Sequence, residues 1–175
     1  APDYSGEYDG RSHGTTAVAK AGDHPAPTGT KIYYSTSENG PWSEESPEIK
    51  DRGSKTVYVK AENPNFETAR NSATLTVTPK EVTVTADDKS KKYGDKDPEL
   101  TASVNGTLNG DTVKYQLSRE SGEDVGKYDI TPSGKEDQGN YTVKYAAGKL
   151  EITKSDNLNV TAKGYTGIYD GTSHG

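Results

Sequence analysis

Apolar side chains in this sequence recur at every second position, nearly from one end to the other. Val57, Val59 and Ala61 fall on one side of an extended chain, while Thr56, Tyr58 and Lys60 fall on the other. Successive side chains of a strand point to opposite faces, so this spacing marks strands with one buried face. The same spacing links Ala73, Leu75 and Val77; Val82, Val84 and Ala86; and Leu100, Ala102 and Val104. It returns in Val113, Tyr115 and Leu117; Tyr141, Val143 and Tyr145; and Leu158, Val160 and Ala162. Turn signals stand between them: Asn39-Gly40-Pro41, Asn105-Gly106, Asn109-Gly110-Asp111 and Ser133-Gly134. Asn-Gly pairs tolerate the positive φ that tight hairpins need. No segment sustains a 3.6-residue period between caps. Short strands at roughly 8–12-residue intervals predict an all-β fold of sandwich-like or barrel-like modules without significant helix.

The apolar fraction is 28%, with a single Phe and a single Trp. One large core cannot be built from that, whereas two small, thin-cored modules can. A net charge of −6 on so polar a chain leans towards disorder, but the sustained alternation argues against it. Cysteine is absent, which removes disulfides, thiolate metal sites and cysteine nucleophiles. Methionine is absent even at position 1, the expectation for an internal fragment or a processed form. No apolar run approaches the roughly 18 residues of a membrane span, so no membrane insertion is expected in this segment. With 27 Asp and Glu against 21 Lys and Arg, the chain lacks the basic footprint that nucleic acid demands. Its 12 Tyr and 19 Gly match exported β-rich proteins better than cytosolic enzymes.

The chain also repeats itself. YSGEYDGRSHG at residues 4–14 returns as YTGIYDGTSHG 161 residues later, with eight of eleven positions identical. The sequence therefore holds one full period and the start of another. A weaker echo lies inside it. Asp51-Arg52-Gly53, Asn65-Phe66 and Leu75-Thr76-Val77-Thr78 parallel Asp124-Val125-Gly126, Asn140-Tyr141 and Leu150-Glu151-Ile152-Thr153. Tyr8-Asp9-Gly10 corresponds to Tyr93-Gly94-Asp95, and Tyr169-Asp170-Gly171 is the third copy of that turn. Two related modules are expected, at 1–79 and 80–154, followed by the first strand and turn of a next repeat at 155–175. The junctions Thr78-Pro79-Lys80 and Thr153-Lys154-Ser155 are too short for a floppy linker, so the modules should stand end to end as a rod.

KKYGDKDPELTASVNGTLNGDTV at residues 91–113, EDVGKYDITPSG at 123–134 and NYTVKYAAGKLEIT at 140–153 together resemble the MBG domain of bacterial surface proteins. The likeness rests on a Tyr-Gly-Asp-x-Asp-Pro opening, a Gly-Asp turn, a Val-Gly-x-Tyr strand, Asn-Tyr and a closing strand. Ser103 departs from it, since members often carry Tyr there. The first module, with Tyr8-Asp9-Gly10, resembles the companion YDG-type or bacterial Ig-like repeat. The resemblance implies Ig-like or β-grasp-like modules in tandem within large adhesin-like proteins, secreted or attached to the cell wall. Such a protein is extracellular, with adjacent repeats as each module's partners. The resemblance implies extension and display and names no ligand.

Few residues suggest chemistry. Asp87, Asp88, Asp95 and Asp97 surround a turn and either hold a calcium ion or accept backbone N–H groups in Asx-type turns. Interleaved Lys89, Lys91, Lys92 and Lys96 favour the second. Ser12, His13 and Asp9 are too close along one turn for an easy triad, and His174 is the same repeat position as His13. No cofactor motif and no enzyme signature appears. Trp42 near Tyr33 and Tyr34 either closes a core or stacks on the sugar faces of host glycans or mucin, weakly and multiplied by repetition. A Lys–Asn cross-link would need a buried lysine beside an asparagine and an acid, which sequence alone does not place. Finally, residues 160–169 lead into Tyr169-Asp170-Gly171 as the first strand of a next module. The chain is expected to begin too late to hold the equivalent strand for its own first module. Residues 158–169 of one molecule would then complete the first module of its neighbour, head to tail, or else extend the second module's sheet.

Overall fold

The computed structural model describes residues 1–173, which leaves His174 and its part in the repeated motif outside the described residues. The chain is all-β. In the first module β1 (Tyr4–Glu7), β2 (Lys20–Ala21), β3 (His24–Pro25), β4 (Lys31–Ser35), β5 (Gly53–Asn63) and β6 (Phe66–Thr78) follow one another. The second contains β7 (Lys80–Ala86), β8 (Lys89–Lys92), β9 (Ala102–Asn105), β10 (Gln116–Arg119), β11 (Gly126–Ser133), β12 (Asp137–Gln138), β13 (Tyr141–Ala146) and β14 (Gly148–Thr153). Among the described residues no helix is long and apolar enough to cross a membrane.

The first module is one sheet in the order β1-β6-β5-β4 with a small β2-β3 ribbon, and β1 runs parallel to β6. The second is two sheets, β10-β11-β14-β8 and β12-β13-β7-β9. Within it β7 runs parallel to β13, and β8 runs parallel to β14. A strand therefore enters each module beside the strand that leaves it, pointing the same way.

The modules differ where one strand breaks. β6 runs unbroken for 13 residues, whereas its counterpart divides at Ala147 into β13 and β14 and changes sheets. Gly148 lies at the division, where a Cβ would come within 2.5 Å of the Ala86 carbonyl oxygen. The corresponding residue of β6 is Ala73, buried in the straight strand. Glycine lets the two backbones approach closely enough for the strand to cross over.

The alternating stripes are buried as their spacing predicts in β5, in the second half of β6, and in β7, β13 and β14. Two expectations fail. Val104 is exposed, because β9 is the edge strand of its sheet. Leu158, Val160 and Ala162 form no strand, and Leu158 and Val160 are 95% and 98% exposed because no surface of the molecule receives them. A third correction concerns the first module, which does hold a strand equivalent to the sequence 165–168: it is β1. The hairpin β5–β6 is also longer than the strand spacing implied, with 11 and 13 residues.

Candidate functional site

The most elaborate contact in the molecule is the face where the modules meet. The Tyr8-Asp9-Gly10 turn caps β1, and Tyr8 is buried with its ring edge-on to Tyr141 at 5.6 Å between centroids. Such T-shaped pairs add to the burial of two aromatic rings. One hydrophobic cluster runs through this contact, from Leu75, Val77 and Ile49 in the first module to Val82, Val113 and Val143 in the second. The interior is thus shared across the junction.

Polar bonds fix the rotation about it. The Arg52 N–H donates to the Asn140 side-chain oxygen at 2.8 Å, and Asn140 donates its amide to Asp51 at 2.9 Å. The Arg52 guanidinium reaches Asp137 and the Gly139 carbonyl. Lys80 pairs with Glu7 at 2.8 Å. Gly10, at φ 77, lies against the Asn109 side chain, in a backbone conformation that side chains rarely adopt. Asn109 and Gly110 also have positive φ, 54 and 78, in a tight turn of the β9–β10 connection closed by the Asp111 N–H on the Leu108 carbonyl at 2.8 Å. The Tyr141 hydroxyl donates to Asp111 and accepts the Leu108 N–H. Burial, and then Asp111, push its phenol above the ordinary tyrosine value.

The repeated turn has an internal lock of its own. The Asp9 carboxylate accepts the Arg11 N–H and bonds His13 Nε2, each at 2.9 Å, and His13 stacks on Tyr4 at 4.2 Å. The His13 bond and then the Arg11 N–H hold Asp9 below the usual carboxylate range. Asp170 accepts the Thr172 N–H at 3.0 Å in the same pattern, and Gly171 has φ 73 where Gly10 has 77.

The four aspartates do not converge. Asp87 accepts from the Thr101 and Ser103 hydroxyls at 2.6 and 2.9 Å, and Asp88 accepts the Lys149 N–H at 2.7 Å. Asp95 offers its backbone carbonyl to Lys91, 3.2 Å away. Asp97 receives Lys91 Nζ at 2.7 Å and Arg119 Nε at 2.6 Å. Among the described residues no group of three His, Asp or Glu side chains is placed to hold a metal ion. Lys91 is the buried lysine, with Glu123 at 2.5 Å as its second anion. Arg119 and then Lys91 lower the Asp97 carboxyl, Lys91 and then Arg119 lower that of Glu123, and Asp97 and then Glu123 raise the Lys91 amine. Each of these shifts favours the charged form, whereas amide condensation needs an uncharged amine, and no asparagine lies among the partners of Lys91.

Strand alternation separates Tyr33 from Tyr34. Tyr34 points into the core, where its hydroxyl accepts the Ala17 N–H at 3.0 Å. Tyr33 and Trp42 lie half-buried on the outer face of the β4–β5–β6 sheet. Lys60 sits 5.0 Å from both ring centroids, and Arg70 lies 5.3 Å from that of Trp42. Trp42 therefore neither closes the core nor offers a bare stacking platform, because cations occupy its ring face. Sequence reading named Tyr8 and Asp9 for their repetition but missed Asp51, Arg52 and Asn140, whose signal was the echo Asp-x-Gly and Asn-aromatic between modules.

Among solved structures, the insect immune protein hemolin, described as a new domain arrangement with implications for homophilic adhesion, is similar at 11% identity with a TM-score of 0.36. The match covers 89% of this chain and 45% of hemolin. The eight N-terminal Ig domains of Down Syndrome Cell Adhesion Molecule match at 14% identity and a TM-score of 0.29, over 89% of this chain and 25% of that one. The chain thus spans less than half of either. No curated protein matches it. Residues 82–151 match the family model of the MBG domain (YGX type).

Proposed function

We propose that this chain is a non-enzymatic spacer repeat of an adhesin-type surface protein, holding a distal binding region away from a bacterial cell. The observation that carries this is the junction. A hydrophobic cluster continuous through Tyr8 and Tyr141, clamped by Arg52, Asn140 and Lys80, fixes one module on the next. A binding or catalytic pair of modules needs no such stiffness, whereas a spacer does. The MBG domain and the 161-residue repetition agree with a tandem array, in secreted or cell-wall-attached form. Small-angle scattering tests the proposal. An end-to-end pair has a longest dimension of roughly 85 Å, from the 13 residues of β6 and the 13 residues 141–153 of its divided counterpart at about 3.3 Å each. Its radius of gyration should exceed the roughly 16 Å of a compact globule of this length. A compact particle would overturn the spacer.

The second function, weak adhesion to host glycans or mucin, draws on the outward position of Trp42 beside Tyr33. The cations over those rings count against it. A glycan array probed with the native chain and Trp42→Ala decides the matter: binding that disappears in the variant supports adhesion, and a blank array removes it.

A further inference from the structure

The first module carries a groove that its counterpart in the second module does not expose. It measures about 240 Å³ and runs between residues 17–20 and the first half of β6, lined by Ala17, Val18, Ile32, Val59, Phe66 and Ala69. Along it, residues 66–71 of β6 pair with β5 on one edge only, and all six are exposed. Phe66 is 53% exposed.

The second module shows what belongs there. Its counterpart of residues 66–71 is β13, and its counterpart of residues 17–20 is β9. Between them lies β7, parallel to β13 and antiparallel to β9, with Val82 and Val84 wholly buried. The chain holds a second segment of this pattern. Leu158, Val160 and Ala162 repeat Val82, Val84 and Ala86, and each series leads to the tyrosine of the repeated turn, Tyr169 or Tyr93. Leu158 and Val160 are the most exposed large apolar residues of those described.

We infer that residues 156–161 of one copy of this chain insert as a strand into this groove of a second copy, between residues 17–20 and β6. Register follows from β7 and β13. Leu158 lies opposite Thr68, Asn159 opposite Ala69 and Val160 opposite Arg70, as Val82, Thr83 and Val84 lie opposite Val143, Lys144 and Tyr145. Ala1 of the acceptor already packs at the end of the groove, in the place of Ala162. The acceptor's own β1 fills the position that residues 165–168 would take. The donated stretch therefore ends near Thr161, and the chain beyond it turns aside.

Three further features fit the same docking. Lys92 and Asp156 pair at 2.8 Å, the charge-reversed form of Glu7 with Lys80 at 2.8 Å, so the segment leaves β14 anchored as β7 leaves β6. Tyr93, the counterpart of Tyr8, is 51% exposed, and Phe66, the counterpart of Tyr141, faces it in the docked pair. Asp124 and Asn65 are likewise the counterparts of Asp51 and Asn140, which are bonded at the internal junction. The donor cannot be the molecule's own tail. Its groove lies up to about 40 Å along β6 from the junction, while the tail leaves the second module at the C-terminal end of β14. Strand addition to an open edge is a common mode of recognition, and a head-to-tail contact of this kind does not close on itself. The inference stands on the register of the two modules and not on the spacer proposal.

Light scattering on the full chain at rising concentration should show masses climbing from 18.7 kDa towards twice that and beyond. The double variant Leu158→Asp, Val160→Asp alters only exposed side chains and should stay monomeric. Because the chain has no cysteine, register is read directly by mixing full chains carrying Ala69→Cys and Asn159→Cys under mild oxidation. A mixed disulfide should form, and should be lost when the equally exposed Ser54→Cys replaces Ala69→Cys. A chain monomeric throughout, association that survives the double variant, or equal cross-linking at Ser54 would each overturn the inference.

Discussion

Leu75 has no accessible surface and sits where β1, β5 and β6 meet. Leu75→Ala removes buried methyl groups that the neighbouring strands cannot replace, and should cost about 2–4 kcal/mol in chemical denaturation. An unchanged midpoint would show that the stripe is misassigned. The charge square of Lys91, Asp97, Arg119 and Glu123 acts differently. Both carboxyls lie below their ordinary values when folded. Their contribution is therefore present above the unfolded carboxylate range and lost as pH falls through the depressed folded values. The native chain should lose more stability on acidification than Asp97→Asn, Glu123→Gln, whose melting temperature should vary less with pH in that window. Because both carboxylates are partly in water, the difference should be modest and should shrink in salt.

At the scale of elements, period-two spacing was enough to find most strands and their buried faces, since that signal is local. It missed Val104, whose side chain has the right spacing on an edge strand, and it read Leu158, Val160 and Ala162 as core although nothing in the molecule covers them. It could not show that Lys60 and Arg70 would meet over Trp42, because that contact depends on the pairing of β5 with β6. Nor did it show where the closing strand divides. Gly148 is the residue on which that division turns. Gly148→Val brings a side chain against the Ala86 backbone and should destabilise the chain by at least about 1–3 kcal/mol. The reverse change, Ala73→Gly in β6, should cost only the roughly 0.5–1 kcal/mol of a glycine in a strand. Paired thermal melts of the two variants would check this, and equal losses would show that the kink does not depend on Gly148.

For the whole molecule, the junction predicts coupled unfolding. A shared interior makes the modules melt together, as tandem repeats do when their interfaces contribute to stability. Tyr8→Ala combined with Arg52→Ala removes the ring contact and the guanidinium bonds to Asp137 and the Gly139 carbonyl without touching either module's central strands. Calorimetry should then resolve one transition into two, with the second module's melting less displaced than the first's. A single transition in the double variant would place the coupling elsewhere.

One feature of the topology bears on how such a chain answers a pull. Each module is entered by a strand that lies parallel to the strand that leaves it, β1 beside β6 and β7–β8 beside β13–β14. Tension applied to the two ends therefore draws the entering and leaving strands in opposite directions along their common axis. The bonds between them are loaded together in shear, as in a lap joint. An antiparallel pair tied at neighbouring ends would open like a zip, one bond after another. Forced unfolding is governed by the barrier to rupture rather than by equilibrium stability, so thin-cored modules joined in this way should resist stretching out of proportion to their equilibrium stability.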